Sequence, residues 1–234
     1  AWLKQPPEKV TVEQAVDRYR STASSTTASS PALQAPAPGV YVFSTSGQES
    51  VDALGGDTHT YPAETTIMVT LTDCGFRMSW IPLSGRWDTT DVCGANGGFA
   101  ETTVANAHEF FRISQVEHFV SEPGSWWLPP NGVTQWTSTS RSDGGRTTVR
   151  TGRLAGQEQV PVGTEVRPAV HVRFDDTITG SSTGTSSTDL WLDPSTGLPL
   201  RETSTATTGN DTIVGHVEFH ESIDLRLVST TPNT

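Results

Sequence analysis

The sequence predicts a mainly β chain: a large antiparallel meander, forming a curved half-barrel, a closed barrel or a sandwich, preceded by one N-terminal helix. Three observations predict it. Beyond Gly39, roughly a dozen segments alternate or are β-branched, and they follow one another at hairpin spacing. Gly, Asn, Asp or Pro stands between them. The only two cysteines, Cys74 and Cys93, lie at equal distances either side of Pro82-Leu83-Ser84-Gly85, as cross-strand partners about a turn would.

Taken in order, the helix comes first. Thr11 supplies a cap, Gln14 the capping-box partner, and Val12, Ala15, Val16 and Tyr19 recur at helical spacing. Ser21 to Ser30, continued by Pro31, Pro36 and Pro38, reads as a connection. The chain therefore divides into residues 1–38, the helix with a Ser/Ala/Pro-rich linker, and residues 39–234, a single antiparallel β domain. Within it, strands are expected at Val40 to Thr45, Thr65 to Thr72, Gly75 to Ile81, Arg86 to Val92, Phe99 to Ala105 and Glu109 to Val120. The pattern continues at Gly132 to Thr139, Arg146 to Arg153, Glu165 to Phe174, Ser187 to Asp193, Leu198 to Thr207 and Thr212 to Val228. Pro194-Ser195-Thr196-Gly197 repeats the form of the first turn, with Pro suited to its second position and Gly to its left-handed exit.

Folding the cysteine segment symmetrically sets Trp80 opposite Trp87. Cys74, Phe76, Met78 and Trp80 then share an apolar face with Trp87, Thr89, Asp91 and Cys93, while Arg77, Ser79, Arg86, Asp88 and Thr90 face water. The Cys74/Cys93 pair reads as a disulfide, and a disulfide implies an oxidising, extracytoplasmic compartment.

The formal net charge is -11 over 234 residues, which excludes a nucleic-acid partner and disfavours an anionic membrane surface. Lys4 and Lys9 are the only lysines, and abundant Ala, Gly, Thr and Pro suggest bacterial high-GC coding. No apolar run is long enough to cross a bilayer as a helix. Ala1 followed by Trp2-Leu3-Lys4-Gln5-Pro6-Pro7 resembles the exit from a signal peptide or membrane anchor, so a tether outside this sequence is expected.

A helix followed by a meander ending in Trp191-Leu192-Asp193-Pro194-Ser195-Thr196-Gly197-Leu198-Pro199-Leu200-Arg201 resembles the LolA and LppX/LprG type of bacterial lipoprotein carriers. The resemblance implies a curved sheet around an apolar lipid cavity. It also implies that Trp191 to Arg201 is a sheet hairpin and that the helix near Val12 to Tyr19 lies on the concave face. Two departures stand beside it: the chain has no lipobox cysteine, and the Cys74/Cys93 pair is no part of the resemblance.

No motif specifies an activity. His216, Glu218 and His220 project from one face of a strand and form a candidate metal set, yet Val217, Phe219, Ile223, Leu225 and Leu227 explain the same alternation without a metal. Glu221 interrupts that apolar row. His118 and His171 are the further donors available. Gly180-Ser181-Ser182-Thr183-Gly184 matches a nucleophile elbow in letters but lacks the following helix, so it reads as a hairpin loop. Asp175-Asp176 reads as a turn without calcium-loop spacing, and Asn210-Asp211-Thr212 is a sequon with no consequence in a bacterium. Trp126 and Trp127, in a Pro-rich segment, could stack on a sugar or protein partner, or one of them could plug a barrel end.

The expectation is a non-catalytic, extracytoplasmic binding domain without cofactor, holding a lipid or other apolar small molecule. The alternatives are a surface module engaging a cell-envelope polysaccharide or protein, and a metal-dependent hydrolase built on His216, Glu218 and His220.

Overall fold

Thr11 and Gln14 close the capping box that their spacing predicts. The Thr11 amide donates to Gln14 Oε1 at 2.9 Å and the Gln14 amide to Thr11 Oγ1 at 3.3 Å. They open α1, Val12–Thr22. The structure, a computed structural model, describes residues 6–22, 34–212 and 215–234. Most of the expected linker lies outside the described residues.

Fourteen strands follow: β1 Gly39–Val51, β2 Asp57–Thr60, β3 Glu64–Leu71, β4 Gly75–Leu83, β5 Arg86–Ala95, β6 Gly98–Phe110 and β7 Ile113–Ser121, then β8 Trp126–Leu128, β9 Gln135–Ser142, β10 Arg146–Val162, β11 Glu165–Gly180, β12 Thr183–Leu192, β13 Pro199–Thr212 and β14 Gly215–Leu227. Twelve of them form a ring in which each strand pairs antiparallel with the next, β2 and β8 being extra strands on β1 and β6. The ring closes because β14 pairs β1, from Phe43↔Leu227 to Val51↔Phe219. Of the three architectures left open by the sequence, the closed barrel is the one adopted. Closure satisfies the backbone of both terminal strands and leaves no long open edge.

Closure also relocates the helix. Only Ala15 of α1 is buried, and α1 lies against β1 and β3. A helix inside the ring would be buried all round, so α1 packs outside, and the concave-face position implied by the carrier resemblance is corrected. The hairpin Trp191 to Arg201 is in the sheet as implied, paired Trp191↔Arg201.

Along β1 and β14 the interior changes character. Phe43 opposite Leu227 is fully apolar; six residues further along β1, Glu49 stands opposite Glu221. Tyr41, Phe43, Phe76, Phe99, Leu192 and Leu200 are all at most 1% exposed and anchor the apolar part of the core. Another part of the interior carries buried charged side chains, among them Glu49, Arg86, Glu101 and Asp176.

The β4–β5 hairpin turns at Ser84-Gly85, not symmetrically about Pro82 to Gly85. Its register shifts between Trp80 and Leu83, so Phe76, Met78 and Trp80 pair with Val92, Thr90 and Asp88. Pro82 has no amide for the ladder, and its carbonyl accepts from the Val10 amide instead. This bulge flips the face of β5. Arg86, Asp88 and Thr90, expected in water, line the interior, and Trp87, Thr89, Asp91 and Cys93 point outward. Cys74 and Cys93 still form the disulfide, their Cα atoms 4.8 Å apart.

Candidate ligand-binding cavity

The charged part of the interior lines a partly open cavity of about 270 Å³. Ile67, Met78, Val104 and Leu190 form apolar wall, and Trp80 and Phe174 each lie under an arginine. The Arg86 guanidinium sits 5.1 Å from the Trp80 ring centre and that of Arg150 4.5 Å from the Phe174 ring centre.

Each arginine is held by more than one carboxylate. Arg86 donates through Nη2 to Asp88 Oδ2 at 2.7 Å and to Glu221 Oε1 at 2.9 Å, with Glu49 Oε2 at 3.5 Å. Arg150 grips Asp176 with two bonds of 2.9 and 3.0 Å and reaches Glu101 Oε2 at 3.0 Å. Burying a guanidinium is costly without such partners. Asp88, Glu101, Asp176, Glu202 and Glu221 line the cavity against Arg86 and Arg150, so five carboxylates face two fixed cations.

Glu202 differs from the other acids. It makes no hydrogen bond or ion pair among the described residues. Burial pushes its pKa up, the charges of Asp88 and Glu221 push it further, and the pull of Arg86 and Arg150 is insufficient to reverse this, leaving it at about 7.

Glu49, only 1% exposed, anchors the wall beyond Arg86. His59 Nδ1 and His108 Nδ1 donate to its two oxygens at 3.1 and 2.8 Å. Burial raises the Glu49 pKa, but hydrogen bonds from His108 and His59, with the charge of Arg86, outweigh it and hold the carboxylate at about 2. His59 stacks on Phe110, and the Tyr61 hydroxyl donates to Glu221 Oε1. The break that Glu221 makes in its apolar row is thereby explained: it points inward as a counter-ion for Arg86. Glu49, His108 and Glu221 present ligand-type atoms within 4.8 Å of one another. Arg86, Tyr61 and His59 already engage those carboxylates, an arrangement that suits ion pairing better than a metal.

No family model matches the chain, and no curated protein matches it. Among solved structures it is similar to the hypothetical lipoprotein YmcC from Escherichia coli (K12), with a TM-score of 0.38 and 10% sequence identity, covering 81% of this chain and 85% of that chain. So distant a likeness carries no argument about fold or function.

Of the residues singled out in the sequence, Asp176 and Glu221 stand on the cavity's charged wall, and the candidate metal set does not. His216, Glu218 and His220 occupy the outer face of β14 with side chains 59, 43 and 51% exposed. His216 Nδ1 meets Asp211 Oδ1 at 2.9 Å, and His220 Nδ1 meets Thr207 Oγ1 at 3.1 Å. Trp127 is buried in the core and touches the cavity wall, its indole N–H donating to the Gly197 carbonyl at 2.8 Å; Trp126 is half-buried against the same core. Asp175-Asp176 is not a turn but mid-β11, with Asp176 turned in to Arg150 and Asp175 turned out to Arg173. Sequence reasoning missed Arg86, Arg150, Glu101 and Glu202 because both faces of their strands carry polar residues. Glu221, the lone acid in an apolar row, was the one available signal.

Proposed function

We propose that the chain is an exported, membrane-tethered binding domain that holds a small ligand inside the barrel. The observation that carries this reading is the partly open cavity of about 270 Å³, lined by both apolar side chains and fixed charges. Its size suits a molecule of roughly ten non-hydrogen atoms, at the small end of ligand sites. The Cys74–Cys93 disulfide supports an extracytoplasmic setting. The charged wall extends the expectation of an apolar ligand to one that carries a polar group on an apolar body.

A thermal-shift screen of small amphipathic compounds against the protein and its Ala206→Trp variant tests it. Ala206 lines the cavity, so an indole there would occupy the ligand's space. Compounds that raise the melting temperature of the parent are expected to lose the effect in the variant. Shifts of equal size in a folded variant would place the ligand elsewhere.

A further inference from the structure

We propose that the ligand is a small organic cation, an amine with an apolar body whose ammonium group is held by Glu202 beside Asp88 and Glu221. This rests on the barrel interior being the ligand site. Every other carboxylate on the wall that approaches Arg86 or Arg150 is already spent on a guanidinium, while Glu202 has no partner among the described residues. Five acids against two arginines leave the cavity with excess negative charge that an anionic ligand would increase and a cation would offset.

A second opening points the same way. Arg86 is 2% exposed, and its Nη1 bonds to no acceptor among the described residues. A buried donor of this kind is costly to leave unpaired. An amine that also carries an oxygen satisfies Glu202 with its ammonium and Arg86 with its oxygen, while Ile67, Met78, Val104 and Leu190 receive the hydrocarbon body.

The titration of Glu202 follows this geometry. The charged groups facing it are Asp88 and Glu221, which disfavour its ionisation, and Arg86 and Arg150, which favour it. Glu101, Asp176 and His108 complete the titratable wall. An arriving ammonium compensates the ionised form, so it binds better once the proton has left.

Isothermal titration with tyramine, tyrosol and 4-hydroxyphenylacetate separates the charge types, because the three share one body and end in an ammonium, a hydroxyl and a carboxylate. Tyramine is expected to bind most tightly at pH 8. Its affinity is expected to drop roughly tenfold at pH 6, the ratio of ionised fractions for a group titrating at about 7. Glu202→Gln should weaken tyramine at least about tenfold at pH 8 and flatten the pH dependence, and Glu202→Asp, which keeps the charge, should restore both. Tyrosol or 4-hydroxyphenylacetate binding as tightly as tyramine, with binding lost in Ala206→Trp, would overturn the cation while leaving the interior site standing. Tyramine binding unchanged in Glu202→Gln would also overturn it. If none of the three binds, the cation falls, and if the wider screen is also empty the interior site falls with it.

Discussion

Replacing Glu202 by glutamine should stabilise the protein, and the gain should depend on pH. Burial and the neighbouring acids raise this carboxyl from an ordinary 4.5 to about 7 in the fold. Each pKa unit corresponds to about 1.36 kcal/mol, so ionised Glu202 costs the folded state up to about 3 kcal/mol. The sign follows from where the proton sits. Below pH 4.5 the group is protonated in both states and imposes nothing. Between 4.5 and 7 the unfolded chain ionises freely while the fold retains the proton, so stability is lost as pH rises, and above 7 the penalty is complete. Glutamine never ionises. Urea unfolding of both proteins at pH 4, 6 and 8 should therefore show a difference that is small at pH 4 and grows to about 3 kcal/mol in favour of the variant at pH 8. A difference independent of pH, or a variant less stable at pH 8, would refute the placement of Glu202 as an uncompensated interior acid. The same substitution is expected to lose the amine, so stability and binding should move in opposite directions.

Other perturbations test the rest of the interior and the hairpin. Arg86→Met leaves Glu49 and Glu221 without their guanidinium and should cost about 3–5 kcal/mol by urea denaturation, a loss that Arg86→Lys only partly restores because Lys cannot reproduce the forked geometry. Opening the Cys74–Cys93 bridge, which spans a sequence separation of 19, should lower stability by about 3 kcal/mol when parent and Cys74→Ser/Cys93→Ser proteins are compared; equal midpoints would contradict it. Gly152→Ala would set a Cβ 2.1 Å from Trp136 Cε2, so the near-UV circular dichroism of the packed tryptophans should be lost or strongly reduced.

Local chemistry was legible wherever the decisive partners are close in sequence. Thr11 and Gln14 announced α1, β-branched runs and turn residues marked most of the strands, and the cysteine spacing announced a cross-strand bridge. The same spacing suggested a symmetric hairpin and so the wrong inward row on β5. One residue of slippage at Ile81-Pro82 exchanges the faces, and alternation alone cannot show it, since Arg86, Asp88 and Thr90 look as suited to water as to an ion-paired interior. Glu202 was invisible for a related reason: it sits among Thr203, Ser204 and Thr205, where neither face reads as core.

The sequence by itself determined that this chain is an antiparallel β protein with one capped helix and a disulfide across a hairpin, because propensity, turn chemistry and cysteine spacing act over a few residues. Only the tertiary structure decided that the sheet closes, since β1 and β14 meet from opposite ends of the domain. It also decided that the interior divides into an apolar core and a charged cavity. The charge state of Glu202 belongs to that second class: it comes from burial, from Glu221 on the neighbouring strand β14, and from Asp88 on β5, which lies far from it in the chain and is brought to it by the closed ring.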